Sequence, residues 1–194
     1  NLRILVPMVA NTAELSSFHA ILADACSQLV EEGVDVVKPP VGIMVEVPAA
    51  ISQLPLWRAQ LDFISIGSND LSQYLLALDR NNPRVSAAYD HIHPAVLREI
   101  ARIVESAEGL ELPLSLCGEM SSDPAAVVLL LGMGIRSLSM SAAQLPRIKW
   151  LVRSIRAEDA RYLSRQALAM GDGDAIRAMV NEKLRELGLA SLVH

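Results

Sequence analysis

The stretch DFISIGSND, residues 62–70, is an apolar run that ends in two polar residues, Asn69 and Asp70. The apolar part predicts a buried β-strand. A similar pattern occurs in GIMVEVP, residues 42–48, where Glu46 is the only charged residue. A carboxylate inside a buried strand is costly unless it is paired or bound to a metal. Both stretches therefore predict core strands that carry functional side chains near their carboxyl ends.

Strands of this kind alternate with helical patterns along the chain, which implies parallel strands joined by right-handed crossovers. The Rossmann and P-loop fingerprints are both absent from the sequence. Five βα units fit either an open doubly wound sheet or part of a (β/α)₈ barrel. Polar residues at the carboxyl ends of successive strands favour the barrel, whose active site lies at that end. The predicted strands are residues 2–9, 42–48, 62–70, 112–120 and 135–141.

Helix signals separate these strands. Asn11 followed by Glu14 predicts a capping box at the start of a helix over residues 11–33, and Asp123 before a proline predicts another N-cap. In the first of these helices one apolar face is predicted to hold Leu15, Phe18, Leu22 and Leu29. From Pro146 onward the sequence is helical.

The predicted fold is thus α/β, the C-terminal portion of a TIM (β/α)₈ barrel with extra C-terminal helices. Residues 1–145 are predicted to form the partial barrel, and residues 146–194 a helical extension of the same domain.

Composition excludes several classes of function. The chain has 194 residues, a net charge of −5 and no basic stripe with interleaved aromatics, which argues against binding nucleic acid. Its longest unbroken apolar run, about residues 125–131, is far shorter than the roughly 20 residues needed to cross a membrane. Two cysteines do not make a disulfide framework, so we expect a reducing, cytoplasmic location.

The polar residues of the strands suggest a cation site. Glu46 and Asp70 lie on neighbouring predicted strands, and hard oxygen ligands favour Mg²⁺ over zinc. Two alternatives stay open: Glu46 in a buried ion pair, and Asp70 as the N-cap of the helix that follows it.

Three further sites have both a functional and an ordinary interpretation. Arg80 suits a phosphate ligand but is also an ordinary loop arginine. Cys117 ends the strand 112–120, where a free cysteine is commonly a packing residue. His91 and His93 precede a proline, which indicates a helix-start motif rather than a metal site.

Several blocks together resemble a known family. GIMVEVPAA, DFISIGSNDLSQYLLALDRNN, YDHIHPAVLREI, LSLCGEMSSDP and LLGMGIRSLSMS look like the C-terminal phosphoenolpyruvate (PEP)-binding domain of enzyme I of the bacterial phosphotransferase system. Pyruvate phosphate dikinase and PEP synthase belong to the same superfamily. The tail RIKWLVRSIRAEDARYLSRQAL most resembles the nitrogen-related paralogue of enzyme I.

The resemblance implies a role for each polar strand-end residue. Glu46 and Asp70 match the Mg²⁺ ligands of the family, and Asn69 and Asp70 match its substrate contacts. Arg80 matches a phosphate-binding arginine. Cys117 matches the acid that protonates the enolate carbon as pyruvate forms.

The resemblance also implies partners that this stretch does not hold. The family barrel has eight strands against five predicted here, and the sequence starts with Asn1 in place of methionine, so we expect a C-terminal piece of a longer protein. Its partners would be PEP and pyruvate, a nitrogen-type HPr-like phosphocarrier reached through absent N-terminal domains, and a second copy in a homodimer. The alternatives are a Mg²⁺-dependent aldolase or lyase barrel for pyruvate-like substrates, and a non-catalytic dimerisation module.

Overall fold

Strand order decides between the two architectures that the sequence allows. A computed structural model describes residues 2–85 and 89–193. In this part of the chain five parallel strands form one sheet in the order β1-β2-β3-β4-β5. A doubly wound sheet reverses its order at a switch point, whereas this sheet adds each strand on the same side, as a barrel does. The strands are β1 Ile4–Val6, β2 Val41–Val45, β3 Phe63–Gly67, β4 Leu114–Cys117 and β5 Leu138–Ser139.

Helices connect and follow the strands. They are α1 Thr12–Glu31, α2 Pro48–Ile51, α3 Leu54–Trp57, α4 Ser68–Leu76, α5 Pro94–Gly109, α6 Pro124–Met133, α7 Leu145–Ser154, α8 Ala157–Ala169 and α9 Gly173–Glu186. None of these helices combines the length and the apolarity that crossing a bilayer requires.

All five strands are shorter than predicted, and for β1 and β2 the local reasons are clear. β1 ends at Val6 because Pro7 has no N–H to donate to a ladder and Met8 takes a left-handed backbone with φ 58°. β2 ends at Val45, so Glu46 lies one residue beyond the strand rather than inside it. Between β2 and β3 the chain forms two short helices, α2 and α3, with a proline in the first turn of each.

α1 confirms the predicted capping box. The Glu14 N–H donates to Asn11 Oδ1 at 3.1 Å, and the Asn11 N–H donates to Glu14 Oε2 at 3.1 Å. Leu15 and Leu22 are buried as predicted, but Leu29 is 40% exposed. The predicted apolar face is wrong at Leu29: the start of α1 is held against α3 by the hydrogen bond of 2.9 Å from Trp57 Nε1 to Thr12 Oγ1, whereas Leu29 lies in the last turn of the helix.

The C-terminal helices are built onto the sheet through α6. Residues 124–130 of α6 are all buried, because the helix lies between the sheet and α7, α8 and α9. Gly132 permits the closest approach, since a Cβ there would collide with the backbone of Ala160 in α8. The predicted helical extension is therefore present, with α7 starting at Leu145; the division into residues 1–145 and 146–194 stays a prediction.

Candidate functional site

The candidate site lies where β2, β3 and β4 end. The register pairs Val45 with Ile66, and Gly67 with Cys117. Because the strands are parallel, their carboxyl ends meet at one edge of the sheet, and the residues just beyond them come together.

Glu46 is held at this edge by the backbone. Its side chain is almost fully buried, with the residue 2% exposed, and Oε1 accepts a hydrogen bond of 2.8 Å from the Met8 N–H. Gly67 makes room for the carboxylate, since a Cβ on Gly67 would lie 2.6 Å from Glu46 Oε2. Among the described residues no basic side chain pairs with this carboxylate or lowers its pKa, so the alternative of a buried ion pair is wrong.

The carboxylate of Asp70 lies close enough to Glu46 to raise its pKa. Burial raises the pKa of Glu46, the Met8 N–H lowers it in part, and the negative charge of Asp70 raises it again. Asp70 is the third residue of α4 rather than the end of a strand, and the N-cap position belongs to Gly67. The alternative of Asp70 as an N-cap is therefore wrong, and its carboxylate makes no capping hydrogen bond to the start of α4.

Arg80 lies against Asp70 and keeps one donor unused. Arg80 Nη2 is 3.4 Å from Asp70 Oδ1, and each side chain is about one-third exposed. The Arg80 N–H donates to Gln73 Oε1 at 3.2 Å, which holds the loop after α4 near that helix. Within residues 2–85 and 89–193, however, the buried Nη1 of Arg80 has no hydrogen-bond partner. A buried guanidinium nitrogen without an acceptor is suited to an anionic ligand.

Cys117 is held as a neutral thiol. Its Sγ donates to the carbonyl of Ile66 at 3.5 Å. Burial raises the pKa of the Cys117 thiol, the Ser65 hydroxyl lowers it in part, and the charges of Glu46 and Asp70 raise it further. The thiol is thus protonated at neutral pH and lies within electrostatic reach of both carboxylates.

Asn69 joins the two sequence blocks that surround the site. Its Oδ1 accepts a hydrogen bond of 2.9 Å from the Glu119 N–H, and the neighbouring Ser68 Oγ donates to the Cys117 carbonyl at 2.8 Å. Gly118 between them has φ 109°, and a Cβ there would lie 2.8 Å from Asn69 Oδ1. The start of α4 and the turn after β4 therefore form one unit.

The two histidines have different roles. His93 caps α5 as the helix-start interpretation predicts, since its Nδ1 accepts from the Ala95 N–H at 3.1 Å. For His91 that interpretation is wrong, because its Nε2 lies 2.9 Å from Asp123 Oδ2. Arg177 Nη1 contacts the same oxygen at 2.7 Å.

Sequence reasoning did not identify Tyr89, the charged role of Asp123, or Arg177. The sequence did offer one clue to Tyr89: it is an aromatic residue with a hydroxyl group in a polar connection, close to the two histidines. Arg177 lies 54 positions from Asp123 in the sequence, and no local pattern marks that pair.

Asp123 gives the stability of the chain a defined pH dependence. Burial alone would raise the pKa of this carboxyl, but hydrogen bonds from His91 and Arg177 outweigh burial and hold it well below its usual range. A carboxyl with a depressed pKa in the folded state contributes stability above its unfolded pKa, near 3.9, and that contribution is lost as the pH falls further.

We expect Asp123→Asn to lower the free energy of unfolding by about 1.5–3 kcal/mol at pH 7 and by much less in acid. Asparagine can retain the N-cap oxygen, but its amide nitrogen replaces the Oδ2 that accepts from His91 and Arg177, so the change removes the charge together with those two hydrogen bonds. The measurement is urea denaturation of the chain at pH 7 and at a pH well below the unfolded pKa near 3.9. The control is Asp24→Asn, which removes an exposed carboxylate. An equal loss of stability at both pH values would contradict the ionic role of Asp123.

Comparison with known proteins identifies the relatives of this chain. A family model described as the PEP-binding domain of PEP-utilising enzymes matches residues 1–157. The chain belongs to this family. The family resemblance drawn from the sequence blocks is thereby confirmed, and the residues at the ends of β2, β3 and β4 lie within the matched PEP-binding domain.

Relatives of this PEP-binding domain carry phosphotransferase names. The chain is 42% identical over all 194 residues to a protein of Salmonella typhimurium named phosphoenolpyruvate-dependent phosphotransferase system, and covers 26% of it. It is 42% identical over 185 residues, 94% of the chain, to the phosphoenolpyruvate-protein phosphotransferase of Cupriavidus necator, and covers 31% of that protein. The chain thus spans between a quarter and a third of the length of these relatives.

A solved structure supports the fold. A citrate lyase of Burkholderia xenovorans superposes on the PEP-binding-domain chain with a TM-score of 0.54 at 18% identity, over 98% of this chain and 67% of the lyase. At this identity the likeness concerns the fold, and the predicted α/β, TIM-barrel-like class is confirmed. It gives no support to a lyase or aldolase activity.

Proposed function

We propose that the chain forms the PEP-binding and Mg²⁺-binding site of a PEP-protein phosphotransferase, an enzyme I of the nitrogen type. The observation that carries the proposal is the buried, unpartnered Nη1 of Arg80 beside Asp70. A buried guanidinium nitrogen that has no acceptor within the described residues is suited to the phosphate or carboxylate of PEP.

The carboxylates fit a magnesium ion. Burial, and then the negative charge of Asp70, raise the pKa of Glu46, and a cation between the two carboxylates would relieve their repulsion. No group of three or more His, Cys, Asp and Glu side chains in the described residues is arranged to hold a metal. A site with two carboxylates is what Mg²⁺ uses when water and substrate supply its other ligands. When bound there, the ion supplies charge stabilisation to the phosphoryl group and the departing oxygen.

The protein's own residues then account for the two parts of the reaction. Arg80 binds and orients the anionic substrate as the bond between phosphorus and the enol oxygen breaks and a histidine outside this chain takes the phosphoryl group. The electron pair left on the enol oxygen forms an enolate. The terminal carbon of the enolate takes the proton of Cys117 Sγ, which yields pyruvate and a thiolate that solvent reprotonates.

The remaining roles belong to the rest of such a protein. We assign the acceptor histidine and the contact with a nitrogen-type HPr-like phosphocarrier to the part of the relatives that this chain does not cover, which is between two thirds and three quarters of their length. The proposed protein forms a homodimer and is located in the cytoplasm.

Metal binding tests the site directly. We expect Mn²⁺, used as a probe for Mg²⁺, to bind more tightly with PEP present, and Asp70→Asn to weaken its binding by at least about 10-fold. The measurement is calorimetry with and without PEP. The control is Asp79→Asn, which removes an exposed carboxylate nine positions further on. Equal affinity of wild type and Asp70→Asn for Mn²⁺ would eliminate the metal assignment.

A further inference from the structure

Tyr89 reaches the candidate site from the connection between α4 and α5. Its hydroxyl donates to the carbonyl oxygen of Asn69 at 3.2 Å. Burial raises the pKa of the Tyr89 phenol, and the adjacent Ser72 hydroxyl and Arg80 guanidinium lower it only in part. The side chain is therefore a neutral hydroxyl that is hydrogen-bonded to the first turn of α4, and the guanidinium of Arg80 is close enough to lower its pKa.

The residues that follow Tyr89 anchor its backbone to the rest of the fold. Asp90 Oδ1 accepts from the Ile92 N–H at 2.9 Å and lies 3.7 Å from Arg177 Nη2. Next to it, His91 lies 2.9 Å from Asp123 Oδ2. The segment is thus fixed to α6 through Asp123 and to α9 through Arg177.

The start of α9 also lies close to this segment. Gly173, the first residue of α9, is so near Asp90 that a Cβ on it would be 2.5 Å from Asp90 Oδ2. The carboxylate of Asp90, next to Tyr89, therefore packs directly against α9.

The position of Tyr89 bears on three residues of the proposed site. Asn69 and Asp70 are successive residues in the first turn of α4, and Arg80 is held by Asp70 on one side while its Nη1 is left without an acceptor in the described residues. A guanidinium tied at one point can still rotate about that contact, and a second neighbour limits the rotation.

We propose that Tyr89 is a positioning residue for PEP, which acts by holding the first turn of α4 and by keeping the Arg80 guanidinium turned toward the substrate anion. This inference rests on the proposed PEP-binding function. Tyr89 orients Arg80 and takes no part in the transfer of the proton from Cys117, so its loss should affect substrate binding rather than turnover.

The test is Tyr89→Phe in the full-length protein, which removes the hydroxyl and keeps the ring. We expect the KM for PEP, and its Kd measured by calorimetry, to rise about 3- to 10-fold, with kcat within about 2-fold of wild type. The matched control is Tyr74→Phe, which removes an exposed hydroxyl from α4 itself and should change neither constant.

A double-mutant cycle with Arg80→Lys separates positioning from a general structural role. If Tyr89 acts through Arg80, adding Tyr89→Phe to Arg80→Lys should weaken PEP binding by much less than Tyr89→Phe does alone. Additive losses, or a Tyr89→Phe protein that matches Tyr74→Phe, would overturn the inference and leave the proposed function standing. A wild-type protein that does not bind PEP would overturn both.

Discussion

Replacing Cys117 with serine is expected to lower kcat for pyruvate formation in the full-length protein by about 10²–10⁴-fold, the usual contribution of a positioned general acid. PEP binding should change little, because in the proposed mechanism the thiol acts only in the transition state and Arg80 binds the substrate anion. The structure provides the reason for choosing serine: burial and the nearby carboxylates keep the Cys117 thiol protonated, and a serine hydroxyl of similar shape is a far weaker acid. Steady-state kinetics and calorimetry with a non-reactive PEP analogue measure the two quantities.

The second free cysteine supplies the control. Cys26 lies in α1, away from the strand ends, and Cys26→Ser should retain full turnover. Cys117→Ala should behave like Cys117→Ser, since neither variant has an acidic proton. Near-normal turnover of Cys117→Ser would reduce Cys117 to a packing residue, and a parallel collapse of binding would mean that the cysteine shapes the site rather than delivering a proton.

Arg80→Gln is expected to weaken PEP binding by roughly 30- to 5,000-fold, which corresponds to the loss of about 2–5 kcal/mol when a buried charged partner is removed. Two effects combine in this variant. The substrate anion loses its guanidinium, and Asp70 loses the positive group 3.4 Å away. Arg80→Lys retains the charge but not the forked geometry, so it should fall between Arg80→Gln and wild type.

Arg84→Gln is the matched control for Arg80. Arg84 belongs to the same loop but is exposed, and its contact with Asn82 is made through the backbone N–H. We expect unchanged PEP affinity in this variant. A loss in Arg84→Gln as large as that in Arg80→Gln would mean that the loop attracts PEP by its overall charge, and that the unpartnered Nη1 has no special role.

The helix starts and the strands could be predicted because each is determined by residues close together in the sequence. The capping residues Asn11 and Asp123 were identified because an N-cap is defined within three residues of the helix start. The strands were identified because apolar runs end abruptly in polar residues, as at Asn69. The parallel order then placed Glu46 and Cys117 at one edge, so the candidate site residues could be named before their contacts were known.

The features that were missed depend on contacts between distant segments. Asp70 was placed at a strand end because α4 starts directly after β3, with Gly67 at the N-cap and no capping side chain to mark the boundary. His91 looked like part of a helix start, yet its partner Asp123 lies 32 positions away. No periodicity within a single element reports such a pair.

The hydrogen bonds between the strands of the site join residues at very different separations in the sequence. This difference predicts the order in which the strands come together during folding. The bond between Val41 and Asp62 joins β2 to β3 across 21 positions, whereas that between Cys117 and Ile66 spans 51. Closing a loop costs about 0.6 kcal/mol more for each doubling of its length, and distant pairings form slowly. We therefore expect β2 and β3 to pair first during folding and β4 to dock later. In this order of pairing, the two carboxylates of the proposed metal site, Glu46 and Asp70, come together before the Cys117 thiol docks beside them.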